Sequence, residues 1–225
     1  MRTFVIGDIH GAYKAFKQCL NKADFDYKKD KLICLGDVCD RGPEVNKVFD
    51  LMLKIKNLVY ILGNHDYWAL EWAKSGKVKR EWAALGASAT LKAYPNGMPN
   101  SHIRILEEAS LYYLHKKRLF VHGGIKINLP LKNQDYQTFL WNRSLATKAI
   151  EKKSTGKEQS LTKYKEIYLG HTPTPNFNSK RPIQACEVWL MDTGAGWGGK
   201  LSMINIKTKK ITQSKRVEKL YPGQY

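Results

Sequence analysis

Short apolar runs and amphipathic stretches alternate along this chain. Five of the apolar runs have the length of buried strands, and they cover residues 3–6, 31–35, 58–62, 118–121 and 166–169. Runs of this length, bounded by glycine or polar residues, indicate strands. Apolar residues at helical spacing follow the first two runs, in residues 13–21 and 45–55. The alternation of strand and helix predicts an α/β fold.

The remaining segments extend this pattern. Further strands are expected at residues 111–114, 188–191, 201–206 and 211–214, and one helix is expected over roughly 136–152. Residues 67–110, with Trp68 and Trp72 four positions apart, predict a helical cap inserted over the sheet edge. We therefore expect one domain over residues 1–225, built from two packed mixed β-sheets flanked by helices.

A short polar motif follows each of the first five strands. The motifs are Gly7-Asp8-Ile9-His10-Gly11, Gly36-Asp37-Val38-Cys39-Asp40-Arg41-Gly42, Gly63-Asn64-His65-Asp66, Val121-His122-Gly123-Gly124 and Gly170-His171-Thr172. Residues just past the carboxyl ends of strands meet at one rim of an α/β sheet, where substrates usually bind. Each motif alone is a weak signal, but the five in this order predict a single two-metal phosphoesterase site.

The residue types in these motifs suit divalent cations. Asp8 and His10, two positions apart, can bind one ion, and the carboxylate of Asp37 can bridge two. The other candidate ligands are Asn64, His122 and His171, and Asn64 is also expected to face the substrate. Mixed oxygen and nitrogen ligands favour manganese, iron or zinc over calcium. Two such ions about 3.5–4 Å apart can share an activated water.

A catalyst also needs an acid for the leaving oxygen and a cationic clamp for the phosphoryl group. His65 is the natural general acid, and either Asp66 or Asp40 could orient its ring. Arg41 has the bidentate fork that suits phosphate, and Arg143 is a second candidate.

The net charge of the chain limits the kinds of partner that we expect. The net charge is +18, from 38 Lys and Arg against 20 Asp and Glu, and a positive field favours phosphorylated substrates. The lysines are spread along the chain without interleaved aromatic residues, so nucleic acid is a possible partner but not the favoured one.

The four cysteines lack Cys-x-x-Cys spacing and are expected to be free thiols in a reducing cytosol. Because no signal peptide or membrane-length apolar run is seen, we expect a cytoplasmic protein without membrane contact.

The motif set resembles the phosphoprotein phosphatase branch of the calcineurin-like metallophosphoesterases, in particular the compact bacterial and phage members. The likeness runs from Gly7 to about Ile206 and includes the stretch Met-Asp-Thr-Gly-Ala-Gly-Trp-Gly-Gly at residues 191–199. The resemblance implies one metal on Asp8, His10 and Asp37, and a second on Asp37, Asn64, His122 and His171. It also implies that His65 is an acid paired with Asp40, and that Arg41 and Arg143 grip the phosphate.

Two positions depart from the family pattern. Asp66 stands where eukaryotic members have Glu, and Cys39 stands where a larger apolar residue is common. By resemblance we expect a metal-dependent phosphomonoesterase of the Ser/Thr protein phosphatase type, in which a hydroxide bridging two metals attacks phosphorus directly. Manganese is expected first, with iron, zinc, cobalt or nickel as alternatives.

Three other functions stay open. One is symmetrical hydrolysis of dinucleoside polyphosphates such as diadenosine tetraphosphate, although the related bacterial enzymes are usually longer than this chain. Another is a polynucleotide end-phosphatase or phosphodiesterase, which the positive charge would favour. The third, from a different class, is a non-catalytic module that binds nucleic acid or phosphoprotein. The complete set of candidate ligands argues against this last option.

Overall fold

Two five-stranded sheets face each other at the centre of the molecule. The computed structural model describes residues 1–224. The strands in this part of the chain are β1 (Thr3–Ile6), β2 (Lys31–Cys34), β3 (Asn57–Tyr60), β4 (Tyr112–His115), β5 (Arg118–Val121), β6 (Glu166–Leu169), β7 (Ile183–Ala185), β8 (Val188–Leu190), β9 (Ser202–Asn205) and β10 (Ile211–Gln213).

Helices cover the outer faces of both sheets. They are α1 (Tyr13–Lys22), α2 (Val45–Met52), α3 (Asn64–Ser75), α4 (Arg80–Ala84), α5 (Ala87–Ala93), α6 (Asn100–Glu107), α7 (Tyr136–Trp141), α8 (Ser144–Ser154) and α9 (Val217–Leu220). Within residues 1–224, no helix is both long and apolar enough to cross a lipid bilayer.

Both sheets are mixed. The first has the strand order β10-β9-β1-β2-β3, in which β1, β2 and β3 are parallel and β9 pairs antiparallel with both β1 and β10. The second has the order β4-β5-β6-β8-β7, with β5, β6 and β8 parallel. Parallel strands end at the same edge of a sheet, so the loops after β1, β2 and β3 lie together, as do those after β5 and β6. The predicted fold class of two packed mixed sheets flanked by helices is confirmed.

The central strands β1 and β5 are apolar on both faces because both faces are covered. In β1, Val5 packs between the two sheets, whereas Phe4 and Ile6 pack against the helices of the first sheet. In β5, Phe120 packs between the sheets and Leu119 packs under the helices of the second sheet. Strands buried on both faces lose the usual polar alternation and read as continuous apolar runs.

The helix predicted over residues 136–152 is wrong in one respect. The structure breaks it into α7 and α8, with Asn142 in an extended conformation between them. The side chain of Asn142 accepts hydrogen bonds from the backbone N–H and the hydroxyl of Ser144, at 2.9 and 2.7 Å. Asparagine competes with the helix for such local bonds, and here it ends one helix and starts the next. The break positions Arg143 at the active-site cavity.

Residues 67–110 hold most of α3 together with α4, α5 and α6. Their helices are part of the main core of the first sheet: Trp82 of α4, Ala87 of α5 and Leu106 of α6 are all buried in it. This packing matters for the site, because α4 and α5 approach the loop that follows β2.

Candidate active site

The five polar motifs converge on one cavity of about 280 Å³. Its wall includes the candidate ligands Asp8, His10, Asp37, Asn64 and His171, together with His65, Arg41 and Arg143. His122 is fully buried and contacts Asn64, with 3.0 Å between its Nε2 and Oδ1 of Asn64. The structure therefore brings all the sequence-predicted ligands together at the strand ends.

The loops reach this point through an uncommon backbone conformation. His10, Asp37 and His171 have positive φ angles of 45°, 48° and 58°, and Asp40 and Arg41 have 73° and 65°. Residues other than glycine rarely adopt the left-handed region, and such strain clusters at functional sites. The left-handed turns direct successive polar side chains from each loop into the cavity.

Two glycines of the motifs are needed for close packing of the ligands. A Cβ at Gly63 would lie 2.2 Å from Oδ1 of Asp37, and a Cβ at Gly170 would lie 2.3 Å from Oδ1 of Asp8. Any larger residue would displace a carboxylate from the site. The glycines that stand between strand and ligand in the sequence therefore have a steric reason at these two positions.

Asp37 is shared by two groups of possible ligands. His10, Asp37 and His65 have ligand atoms within 4.8 Å of one another, and so do Asp37, His122 and His171. Oδ2 of Asp37 is 3.7 Å from Nε2 of His10, and Oδ1 is 3.4 Å from Nε2 of His122. A carboxylate that faces one histidine with each oxygen has the geometry of a bridging ligand.

Backbone carbonyls fix the orientation of two of the histidines. Nδ1 of His10 is 2.8 Å from the carbonyl oxygen of Cys39, and Nδ1 of His122 is 2.7 Å from that of Leu35. A carbonyl can only accept, so each Nδ1 donates and each Nε2 faces the site. This arrangement is usual for histidines that bind metal through Nε2.

The protonation states suit cation binding. Burial lowers the pKa of His10 to about 3 and holds the pKa of His171 well below its usual value. Burial would raise the pKa of Asp37, but the nearby His122 and His65 outweigh it and hold that pKa well below normal. Neutral imidazoles and an ionised carboxylate are the forms that bind metals.

Two acceptors face Nε2 of His122. Its Nε2 faces Oδ1 of Asn64 and Oδ1 of Asp37, while its Nδ1 donates elsewhere. Burial would lower the pKa of His122, but Asp37 outweighs it and raises that pKa to about 9. A proton therefore sits where a divalent cation could bind the same three groups.

Buried polar atoms in the site also lack partners. Oδ1 of Asp8 and Nε2 of His171 are buried and have no hydrogen bond within residues 1–224. Burial and the charge of Asp192 raise the pKa of Asp8 well above normal. Unsatisfied buried acceptors and crowded carboxylates are costly, and cations would satisfy both. The residues present therefore fit a pair of divalent metal ions.

Beside the ligands lies a histidine–carboxylate pair. Nδ1 of His65 is 2.6 Å from Oδ2 of Asp40, whose side chain is fully buried. Burial would lower the pKa of His65, but Asp37 and the hydrogen bond to Asp40 outweigh it and raise that pKa. Two residues of the 67–110 segment hold Asp40: Trp82 Nε1 donates to Oδ2 at 2.6 Å, and Thr90 Oγ1 donates to Oδ1 at 2.5 Å.

Of the two carboxylates considered for orienting His65, the structure brings Asp40 to the ring. Asp66 has a different place: its Oδ1 accepts hydrogen bonds from the backbone N–H groups of Val38 and Cys39, and its Oδ2 accepts from that of Gly63. Asp66 thus ties the loop after β2 to the start of α3.

The two arginines lie at the mouth of the site. The guanidinium of Arg41 lies over the indole of Trp197, 3.6 Å from its centroid. Nη2 of Arg143 donates to the carbonyl oxygen of His171 at 3.2 Å. Both side chains line the cavity and present cations beside the ligand groups.

Four residues of the site were not singled out from the sequence. Trp82 and Thr90 hold Asp40, while Asp192 and Trp197 line the cavity. Burial raises the pKa of Asp192 to about 6. Its position just after β8 repeats the strand-end signal of the five motifs and could have identified it. No local pattern marks Trp82 or Thr90.

Comparison with known proteins agrees with this geometry. A family model for calcineurin-like phosphoesterases matches residues 1–197. The chain is 29% identical to the asymmetrical bis(5'-nucleosyl)-tetraphosphatase PrpE of Bacillus cereus strain Q1, over 94% of this chain and 93% of that protein. It is 26% identical to the symmetrical bis(5'-nucleosyl)-tetraphosphatase of Coxiella burnetii strain RSA 331, over 92% of this chain and 89% of that one.

Solved structures share the fold. One, provisionally identified as a diadenosine tetraphosphatase, superposes with a TM-score of 0.70 at 17% identity, over 94% of this chain and 92% of its own. A protein serine/threonine phosphatase from Saccharomyces cerevisiae superposes with a TM-score of 0.64 at 14% identity, over 96% of this chain and 80% of its own. At these identities the likeness concerns the fold alone, and the family rests on the matched model. The chain belongs to the calcineurin-like phosphoesterase family, whose members use a dinuclear metal centre.

Proposed function

We propose that this chain is a metal-dependent phosphohydrolase in which His65 protonates the leaving oxygen. The observation that carries the proposal is a single constellation: two groups of possible ligands meet at Asp37, and His65, a member of one group, is also paired with Asp40. Ligands alone would equally support a metal-storage or structural site. The buried His65–Asp40 pair adds a candidate general acid, and this favours a catalytic site.

The cations would be held by the residues that the sequence predicted. One would lie between Asp8, His10 and Asp37, and the other between Asp37, Asn64, His122 and His171. When bound, the pair supplies an activated water and neutralises charge on the phosphoryl oxygens. The mixture of carboxylate, amide and imidazole ligands supports manganese first, with iron, zinc, cobalt or nickel as alternatives.

His65 supplies the proton. Its Nδ1–H is held by Asp40, so the opposite nitrogen, Nε2, is the atom that donates to the leaving group. The raised pKa of His65 favours the protonated ring, which is the form that a general acid needs. Asp40, tied to Trp82 and Thr90, keeps the ring from turning. Asp66 acts on this apparatus only through the backbone that it holds.

Arg41 and Arg143 bind the phosphoryl group. Both line the cavity together with the ligand groups, and a guanidinium fork can pair two phosphoryl oxygens at once. Arg41 is stacked on Trp197 and Arg143 is bonded to the His171 carbonyl, so neither is free to swing away. Asn64 lines the same cavity, and we assign it two roles, as a metal ligand and as a substrate contact.

Two substrate classes fit this chemistry. Dinucleoside polyphosphates are supported by the relatives, which carry that activity in their names and align over about nine-tenths of both chains. Phosphate monoesters, including phosphorylated Ser or Thr, are supported by the His65–Asp40 pair. An alkoxide leaving group is a strong base and needs an acid, whereas a leaving phosphate oxygen needs one much less.

The test is product release in the presence of manganese from three substrates side by side. These are a phosphoserine peptide, diadenosine tetraphosphate and a 3'-phosphorylated oligonucleotide. Turnover of at least one, lost on chelation and restored by the metal, is the expected result. No turnover of any of them, in protein shown by elemental analysis to hold two metal ions, would refute the proposal and favour a binding module.

A further inference from the structure

A second and larger cavity adjoins the metal-site cavity. It has a volume of about 590 Å³, within the range of small-molecule sites. The two cavities share Arg143, Pro173 and Trp197 in their walls. A substrate whose phosphorus lies at the metal ligands can therefore extend into the larger cavity without leaving the protein surface. This connected space is called the side cavity below.

The side cavity is lined by cations without an opposing carboxylate. Arg143, Lys180, Lys200 and Arg216 line it, and no Asp or Glu does. Arg216 is paired with Glu218 at 2.8 Å, but within residues 1–224 the ammonium groups of Lys180 and Lys200 have no ion pair. Many lysines of this chain are spread over its surface. Here they meet in a concave wall that continues from the catalytic cavity.

An aromatic side chain stands where the two cavities meet. The indole of Trp197 is 63% exposed, which is unusual for so large an apolar group. Left-handed Gly194 and Gly198 flank the short turn that carries it, and Arg41 lies over its ring. A fixed, exposed indole bordered by cations is a surface on which a nucleobase can stack.

We propose that the side cavity binds the nucleoside polyphosphate that extends beyond the scissile phosphorus. This inference rests on the proposed function and selects the dinucleoside polyphosphates among its substrate classes. A polyphosphate carries about one negative charge per phosphate, which Lys180 and Lys200 can meet, whereas the peptide around a phosphoserine has no such charge. In the reaction, water adds to phosphorus, the P–O–P bridge breaks, and the departing nucleoside polyphosphate keeps the bridging oxygen. The proton released by water passes to solvent.

Binding to the metal-free protein tests the site without any turnover. With EDTA present, affinity for diadenosine tetraphosphate is measured by calorimetry for the wild type and two double variants. Lys180→Ala/Lys200→Ala should weaken binding by about tenfold or more, because each charged hydrogen bond is worth a factor of that order. Lys28→Ala/Lys29→Ala removes the same charge from an exposed turn before β2, at the opposite end of that strand, and should change affinity by less than about twofold.

Comparing two bound molecules separates the contribution of charge to affinity from that of base stacking. Trp197→Ala should weaken binding of diadenosine tetraphosphate more than binding of inorganic tripolyphosphate, which has no base. With manganese-loaded protein, Lys180→Ala/Lys200→Ala should reduce kcat/KM for diadenosine tetraphosphate about tenfold more than for p-nitrophenyl phosphate. The larger substrate reaches the side cavity and the smaller one does not.

Several outcomes would overturn the inference. Equal weakening of binding by both double variants would show that the effect comes from the general positive field. No weakening by Lys180→Ala/Lys200→Ala would show that the side cavity is not the binding site. Tight binding of a single-stranded oligonucleotide that depends on Lys180 and Lys200, with no nucleotide binding, would assign the cavity to nucleic acid instead. Binding as expected without turnover of any substrate would keep the side cavity and refute only the proposed catalysis.

Discussion

The indole of Trp82 donates its Nε1–H to Oδ2 of Asp40 at 2.6 Å, and Nδ1 of His65 contacts the same oxygen at 2.6 Å. Asp40 is fully buried, so these hydrogen bonds replace the water that a carboxylate would otherwise bind. One carboxylate oxygen thus links α4, in the 67–110 segment, to the candidate acid at the start of α3. The 67–110 segment therefore holds the carboxylate that contacts His65.

Trp82→Phe should therefore lower both stability and turnover. It keeps most of the buried volume but removes the donor, leaving Asp40 short of one hydrogen bond, at a cost of about 1–3 kcal/mol. We expect kcat to fall while KM changes little, because Asp40 orients His65 and does not touch substrate. Trp72→Phe is the matched control, since Trp72 packs against Trp82, with ring centroids 6.0 Å apart, in the same cluster. Urea unfolding and steady-state kinetics measure both variants, and equal effects would contradict the assignment.

His65→Asn should lower turnover far more than metal content. The loss in kcat on a phosphoserine peptide should be about 10²–10⁴-fold, the usual size of a general-acid contribution. On diadenosine tetraphosphate the loss should be smaller, because a leaving phosphate oxygen is a weaker base. His115→Asn, at an exposed position in β4, is the control. His65 also lies in one ligand group, so parallel loss of metal and activity would make it a ligand instead.

Asp37→Asn should reduce metal binding more than any other ligand change. Asp37 belongs to both ligand groups, whereas His171 belongs to one. We expect less than one manganese ion per chain in Asp37→Asn and about one in His171→Asn, because a neutral amide bridges two cations poorly. Elemental analysis after dialysis measures the content. Two ions retained in Asp37→Asn would show that the carboxylate is not a bridge.

Stability should depend on pH through Glu166, far from the ligands. Burial would raise its pKa, but hydrogen bonds from Lys209 and Arg118 outweigh this and lower it. Because the folded pKa lies below the unfolded value of about 4.3, the contribution is complete above that value. It is lost as pH falls through the folded pKa.

Glu166→Gln should accordingly lower the free energy of unfolding at pH 7 by about 1 kcal/mol, a modest figure because Lys209 is partly exposed and solvent screens the pair. The difference from wild type should shrink as the pH falls below the unfolded pKa. Glu151→Gln, at an exposed position in α8, is the control. Urea unfolding across this pH range measures both, and a difference that does not change with pH would exclude the ion pairs as its cause.

The fold class and the candidate ligands follow from short stretches of sequence. The strands before the five motifs were visible because most of their residues are apolar and at least partly buried, and each candidate ligand was visible because it lies within a few residues of a strand end. Boundaries shifted by a residue or two, as in β2 and β3. The single helix expected over residues 136–152 was wrong, because the capping bonds of Asn142 interrupt an otherwise helical pattern.

What the sequence by itself determined is the place of the candidate ligands at the rim of two sheets, since strand periodicity and the position of a residue after a strand are local properties. Only the tertiary structure decided that Trp82 and Thr90 hold Asp40, and that Trp197 borders two connected cavities. Trp82 and Thr90 lie 42 and 50 residues from Asp40 along the chain. Contacts across such distances depend on how helices pack onto the sheet, and no repeating pattern in the sequence encodes them.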